Sequence, residues 1–272
     1  MTFFNKLGDR LKGYEANYPQ YLATKGLPLV ARLDGRSFHN FTQGLKKPFD
    51  IRLSEAMIET TKYLVEETHA LTGYTQSDEI TLIWFVPADS VSDYMFTGKT
   101  QKLVSTLSAL ASVKFFSIIQ ETIPEKKTAM PTFDCRVFQT PTLEEGANAF
   151  LWRELDATKN SISMAASAYF SHKALDGKSG NEKQEMLLIE KNINWNDYPP
   201  FFKRGTYVQR KTFERSLTAE ELAAIPEKHR ISPDAVVMRS AIVELDMPPA
   251  SKVINLVDVI FNKDSPKVKN EI

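Results

Sequence analysis

The chain has 272 residues, 42% hydrophobic and 25% charged, an ordinary globular balance and enough to bury a sizeable core. Lys plus Arg number 34, as do Asp plus Glu, so no global positive field draws in nucleic acid, and any such contact must use a local basic face. A single cysteine, Cys135, excludes an internal disulfide and a multi-cysteine zinc site. Met1 to Glu15 is charged throughout and lacks the apolar core of a leader. No stretch reads as the ~20 apolar residues needed to span a bilayer, so the expectation is a cytoplasmic protein with no membrane partner. The expected organisation is one domain, a core over about 25–140 with residues 141–272 packed on it.

Phe3, Phe4, Leu7, Leu11 and Tyr14 recur at helical spacing and predict an amphipathic helix packed on the core or on a second subunit. An apolar run, Leu27 to Leu33, stops abruptly at Asp34-Gly35 and reads as a buried strand. Arg36 to Pro48 reads as a loop punctuated by Gly44 and Pro48. Arg52 to Thr72 carries Leu53, Met57, Tyr63 and Leu64 at near-helical spacing and stops at Gly73. Polar Gly73 to Glu79 followed by apolar Ile80 to Val86 reads as a hairpin with Ser77-Asp78 near its tip. Lys102 to Glu121 reads as a second helix, with a Leu103, Leu107, Leu110 stripe and small residues for close packing. Phe133 to Thr140 is a strand. The order strand, helix, strand, strand, helix, strand is ferredoxin-like: an α+β fold, an antiparallel sheet backed by two helices, which is also the palm of many polymerases.

Beyond it, Leu143 to His172 predicts one long helix, bent near Thr158, with Arg153, Asn160 and Ser167 near one face. Glu182 to Lys191 predicts a further helix carrying Lys183. After Pro199-Pro200, Lys203, Arg204, Arg210, Lys211 and Arg215 are interleaved with Phe201, Phe202, Tyr207 and Phe213. Two accounts fit that stretch: a nucleic-acid surface, or a strand edge blunted by charge. Thr218-Ala-Glu-Glu221 fits a capping box, and Val236 to Leu245 a strand. Helical and strand additions therefore follow the palm.

The chemistry concentrates at two acids. A strand, a helix and a hairpin bring Asp34 and Asp78 to neighbouring strand ends. Two Asp so placed clamp paired Mg²⁺ ions, roughly 3.5–4 Å apart, and Gly35 lets a triphosphate approach the backbone. An Asp-Gly after a strand is also an ordinary turn, and Ser-Asp-Glu an ordinary hairpin tip. Lys102, in the first turn of its helix, suits anion binding. The four histidines are too scattered in sequence for a zinc pattern, and Cys135 reads as a buried structural thiol.

Taken together, these residues resemble the tRNA(His) guanylyltransferase family of 3′-to-5′ polymerases. The matching pieces are Leu-Asp-Gly-Arg-Ser-Phe-His at 33–39, Lys47-Pro48, Gln-Ser-Asp-Glu at 76–79, Lys102, Phe-Asp-Cys-Arg at 133–136 and Trp152-Arg153. Glu-Lys-Gln-Glu-Met-Leu at 182–187 and Lys-Arg-Gly-Thr at 203–206 follow. The ordered set, spanning about residues 25–210, is specific where each piece alone is weak. The resemblance implies catalytic Asp34 and Asp78, with the Gly35 carbonyl, on two Mg²⁺ ions. It places Arg36, Ser37, Phe38, His39, Lys47, Ser77, Lys102, Arg136 and Asn160 around ATP, GTP or another nucleoside triphosphate. It assigns Arg153, Lys183, Lys203, Arg204 and Arg210 to tRNA, and implies a homo-tetramer. Eukaryotic members carry His-Ile-Asn-Asn-Leu-Tyr-Asn where this chain reads Thr158 to Met164, sharing only Asn160. That departure resembles the bacterial and archaeal branch, which repairs tRNA 5′ ends by templated addition, rather than the enzymes that add one untemplated G to tRNA(His). A palm-type nucleotide cyclase and a non-catalytic RNA-binding module share parts of the pattern.

Overall fold

The computed structural model describes residues 3–16, 21–226, 232 and 236–269. Strict alternation in β1 (Leu29–Gly35) puts Leu29, Ala31 and Leu33 on one face and Val30, Arg32 and Asp34 on the other. β1 is nearly all buried because it lies between two strands, β3 (Glu79–Trp84) and β4 (Phe133–Gln139). β2 (Thr72–Gln76), β5 (Thr206–Ser216) and β6 (Val236–Glu244) complete a six-stranded sheet. Its order is β4-β1-β3-β2-β5-β6, and every neighbouring pair is antiparallel. The first four positions are the ferredoxin-like palm. The last two extend it along the edge of β2.

The face of Leu29, Ala31 and Leu33 is covered by α3 (Ile51–Thr68) and α4 (Thr100–Thr122), which bury Met57, Leu64, Leu107 and Phe115 against it. By length and composition α4 could cross a membrane, against the sequence expectation that no segment could. Its Leu103, Leu107, Ala111, Phe115 and Ile119 form one buried stripe in the main core, the pattern of a core helix. The other face takes α5 (Leu143–Ser167), with Ala147, Phe150 and Ala157 against Val30, Ile83 and Tyr207. The end of the chain closes that face: Thr72 Oγ1 donates to the Ile260 carbonyl at 2.7 Å, and Gln209 Nε2 to that of Val259 at 2.6 Å. Glu154, buried between α5 and this segment, accepts the Tyr207 hydroxyl at 2.9 Å and the Ala250 N–H at 2.8 Å. Burial raises its pKa, and the two donors offset part of that rise.

α5 runs unbroken through Thr158, where a bend was expected, and ends at Ser167. His172–Leu175 (α6) is a separate turn capped by Ser171. α7 (Gly180–Lys191) and α8 (Pro200–Arg204) pack on the end of α5 around Leu187 and Phe202. The predicted capping box is present: Thr218 Oγ1 accepts the Glu221 N–H and Glu221 returns the bond, opening α9 (Ala219–Ala224). The N-terminal helix α1 (Phe3–Ala16) forms as its spacing predicts. Its Leu11 and Tyr14 are exposed, however, so these two do not pack on the core of the same chain.

Candidate active site

Pairing places Asp34 opposite Glu79 on one side and Asp134 on the other, so three carboxylates share one sheet face at the same level. Ser77 and Asp78 form the two-residue turn between β2 and β3, with Ser77 at φ 55°. The Gly35 N–H donates to the Asp78 carbonyl at 2.9 Å, docking the end of β1 onto the hairpin tip. The two acids singled out from sequence are thus neighbours. Ser77 Oγ donates to the Asp78 carboxylate at 3.1 Å. Burial pushes the Asp78 pKa up, and the negative Asp34 and Glu79 push the same way.

A partly buried group of acids with an excess of negative charge suits a cation. No group of three His, Cys, Asp or Glu fit to hold a metal occurs among the described residues. The candidate donors are the Asp34 and Asp78 carboxylates and the Gly35 carbonyl, all hard oxygens. Mg²⁺ accepts such a set, because it is commonly held by one or two carboxylates with water and substrate phosphates completing its shell. The residues present fit the ion.

Gly35 is required by its surroundings. A Cβ there would stand 2.6 Å from Phe38 Cγ. Phe38 cannot yield, because its ring packs on Phe41, Phe115 and Phe133 at centroid distances of 5.1, 5.4 and 5.2 Å. That cluster also pulls the expected loop into a helical turn, α2 (Phe38–Phe41). The Phe38 side chain therefore belongs to the core, and only its backbone is left for a nucleotide. Gly35→Ala is expected to lower unfolding stability by about 1–3 kcal/mol through overpacking and to reduce turnover. A urea midpoint and a steady-state assay check both.

Beside Asp78 opens a cavity of about 410 Å³, lined by His39, Lys46, Lys47, Ser77, Asp78 and Ser167 among others, with Phe49 and Phe201 in its wall. Aromatic surface with lysines at the rim suits a base and its phosphates. The lysine loop is pinned by a residue the sequence reading passed over. Asp50 caps α3 by accepting the Arg52 N–H at 3.1 Å, and its other oxygen accepts the Lys46 N–H at 3.3 Å. The Arg52 side chain, bonded to both Asp50 oxygens, holds the Asp50 pKa below the usual range. An Asp directly before a helical run was the available signal.

Of the other residues assigned to nucleotide, Ser37 and Arg36 lie in the turn after Asp34, and Asn160 is exposed on α5 one turn before Met164, which lines the cavity. Arg136 faces Arg32 across β1–β4, one pair further from Asp34 on the same sheet face, and lies 3.6 Å from Asp134. Lys102 is a correction. It sits at the start of α4, where Thr100 bonds Tyr21, whereas Ser112 further along α4 bonds Phe133 at the Asp34 end. Ten helical residues span about 15 Å. β3 runs away from the hairpin tip, so a helix that follows it must begin at the far end.

Two RNA assignments also change. Arg153 is 7% exposed and contacts Glu79, with Asp156 at 3.1 Å, so it is not free for a phosphate. Arg210 lies one residue past the Thr72–Gln209 pair, at the end of the sheet away from Asp78, and reaches Glu66 at 3.9 Å. The strand-edge account fails only for residues 206–209, which lie between β2 and β6; residues 210–216, with Arg210, Lys211 and Arg215, pair with β6 alone. Lys211 donates to the Lys263 carbonyl and Arg215 pairs with Glu221 at 2.6 Å. Lys203 donates to the Asn196 carbonyl beside Arg204 in α8, and Lys183 reaches Ser163 Oγ at 3.2 Å, tying α7 to α5.

The tRNAHis guanylyltransferase (Thg1) family model matches residues 8–141. A tRNA(His) guanylyltransferase of Debaryomyces hansenii is 30% identical over 199 residues, 67% of this chain and 73% of that protein. This chain belongs to the tRNA(His) guanylyltransferase family. Membership makes it a nucleotidyltransferase with a palm fold. A bacterial Thg1-like protein solved with ATP superposes with a TM-score of 0.78 at 35% identity, covering 94% of this chain and 98% of the other. A bacterial Thg1-like protein solved with GTP gives 0.70 at 32%, covering 91% and 94%.

Proposed function

We propose that this chain adds nucleotides to the 5′ end of tRNA in the 3′-to-5′ direction, repairing truncated ends against the opposing strand. The observation that carries the reading is the docking of Asp34-Gly35 onto Asp78 at the mouth of a lysine-rimmed cavity. First, a 5′-phosphate oxygen of the RNA attacks the α-phosphorus of ATP and pyrophosphate leaves, giving 5′-adenylylated RNA. Next, the 3′-hydroxyl of an incoming nucleotide attacks that 5′-phosphorus and AMP leaves. No protein nucleophile is needed; positioning and charge neutralisation supply the acceleration. Asp34, Asp78 and the Gly35 carbonyl would hold Mg²⁺, which when bound supplies a lowered hydroxyl pKa and charge neutralisation of the phosphates. Lys46 and Lys47 attract the triphosphate, and His39 and Ser77 border it. Lys203 and Arg204 meet the tRNA backbone. A cytoplasmic homo-tetramer remains part of this reading.

Templated repair is favoured over addition of one G because the motif at 158–164 keeps only Asn160. The test is a tRNA lacking its first nucleotides, incubated with ATP and all four triphosphates, with the opposing bases varied. Extension that follows the opposing base and stops when pairing is complete is the expected result. A single G added whatever lies opposite would favour tRNA(His) guanylylation. A cyclic product formed without RNA would replace both with the cyclase reading.

A further inference from the structure

We infer that Arg153 is a positioning residue for nucleotidyl transfer: it neutralises Glu79 and ties α5 to the catalytic hairpin, so that Glu79 does not compete with Asp34 and Asp78 for the cation. The inference rests on the reading of those two acids as the cation-holding pair.

Four observations carry it. The Arg153 guanidinium contacts the Glu79 carboxylate and lies 3.1 Å from Asp156, one turn on along α5. The adjacent Trp152 ring lies 4.6 Å from it, and the Arg153 side chain is almost fully buried. Its Nε is buried with no hydrogen-bond partner among the described residues. The group thus forgoes one hydrogen bond while its terminal nitrogen serves the two carboxylates. Finally, Glu79 stands directly after Asp78 and opposite Asp34. Left unpaired, its charge would add a further anion to those of Asp34, Asp78 and Asp134 at the proposed cation site.

The mechanical consequence follows from α5. Asn160, Met164 and Ser167 lie beyond Arg153 on the same helix, and the last two line the cavity beside Asp78. The Arg153–Glu79 contact therefore joins the two walls between which a triphosphate would lie. Reacting atoms must be held to within about 1 Å, and a misplacement of that size costs on the order of a hundredfold in rate.

The test compares Arg153→Gln and Arg153→Lys with the parent in three measurements: Mn²⁺ affinity of the free protein by electron paramagnetic resonance, turnover with tRNA, and tRNA affinity. For Arg153→Gln, Mn²⁺ is expected to bind several-fold tighter, because an unpaired carboxylate is released beside the pair. Turnover is expected to fall about a hundredfold, with tRNA affinity within twofold of the parent. Arg153→Lys keeps the charge and is expected to restore parental Mn²⁺ affinity and most of the turnover. A merely structural role would weaken Mn²⁺ binding rather than tighten it, and that result overturns the inference. So does a loss of tRNA affinity in either variant, which would return Arg153 to the RNA surface. Should Arg153→Gln fail to fold, Arg153→Lys carries the test alone: weakened Mn²⁺ or tRNA binding in it is equally decisive. Asp78→Asn separates the two levels, since full Mn²⁺ binding and activity there would remove the cation pair itself, whatever Arg153 does.

Discussion

Asp78→Asn is expected to abolish nucleotidyl transfer, by about a thousandfold or more, while leaving the fold intact. In the proposed mechanism the carboxylate is the part the chemistry needs, and the docking of the hairpin does not depend on it. The bond docking Asp78 onto Gly35 is made by its backbone carbonyl and survives the change. Burial and two neighbouring acids raise the Asp78 pKa, so the ionised group at neutral pH is a cost to the folded state. A neutral amide removes that cost, and the melting temperature should be unchanged or slightly higher. Labelled ATP and a truncated tRNA read the first effect, and thermal unfolding reads the second. Transfer at a rate near the parent's would take Asp78 out of the mechanism.

Gly205→Ala is expected to cause the largest loss of stability, about 3 kcal/mol or more. Gly205 joins α8 to β5 at φ 77°, in the left-handed region that glycine tolerates. A Cβ there would stand 2.5 Å from the Thr75 carbonyl oxygen and 2.6 Å from the Tyr74 hydroxyl. Neither can move freely. Thr75 is locked in the β2–β3 and β2–β5 ladders, and the Tyr74 hydroxyl donates to the Arg204 carbonyl at 2.8 Å. Gly177 is the control: it has φ 70° but nothing within 4 Å of an added Cβ. Gly177→Ala should cost only the backbone strain, about 1 kcal/mol. Urea midpoints of the two variants separate steric conflict from strain. Because β2 leads directly into Ser77-Asp78, Gly205→Ala should also depress turnover, whereas Gly177→Ala should not.

The sequence by itself determined what depends on neighbours in the chain. The apolar run before Asp34-Gly35, the hairpin tip at Ser77-Asp78 and the capping box at Thr218 are short-range signals, and each element formed close to where its own residues specified, although β1 runs on through Asp34 and Gly35 and α3 stops at Thr68, leaving Thr72 to open β2. Their order was enough for the palm, and so for the meeting of Asp34 and Asp78. What only the tertiary structure decided is which charges remain free. Arg153 and Glu79 are 74 positions apart, Arg210 and Glu66 are 144 apart (210 − 66), and no local pattern links either pair. Lys102 sits in a helical first turn as its motif suggests, but the direction in which β3 leaves the hairpin sets which end of the sheet it occupies. Partners and placement of this kind follow from strand register and chain direction, which a one-dimensional pattern does not contain.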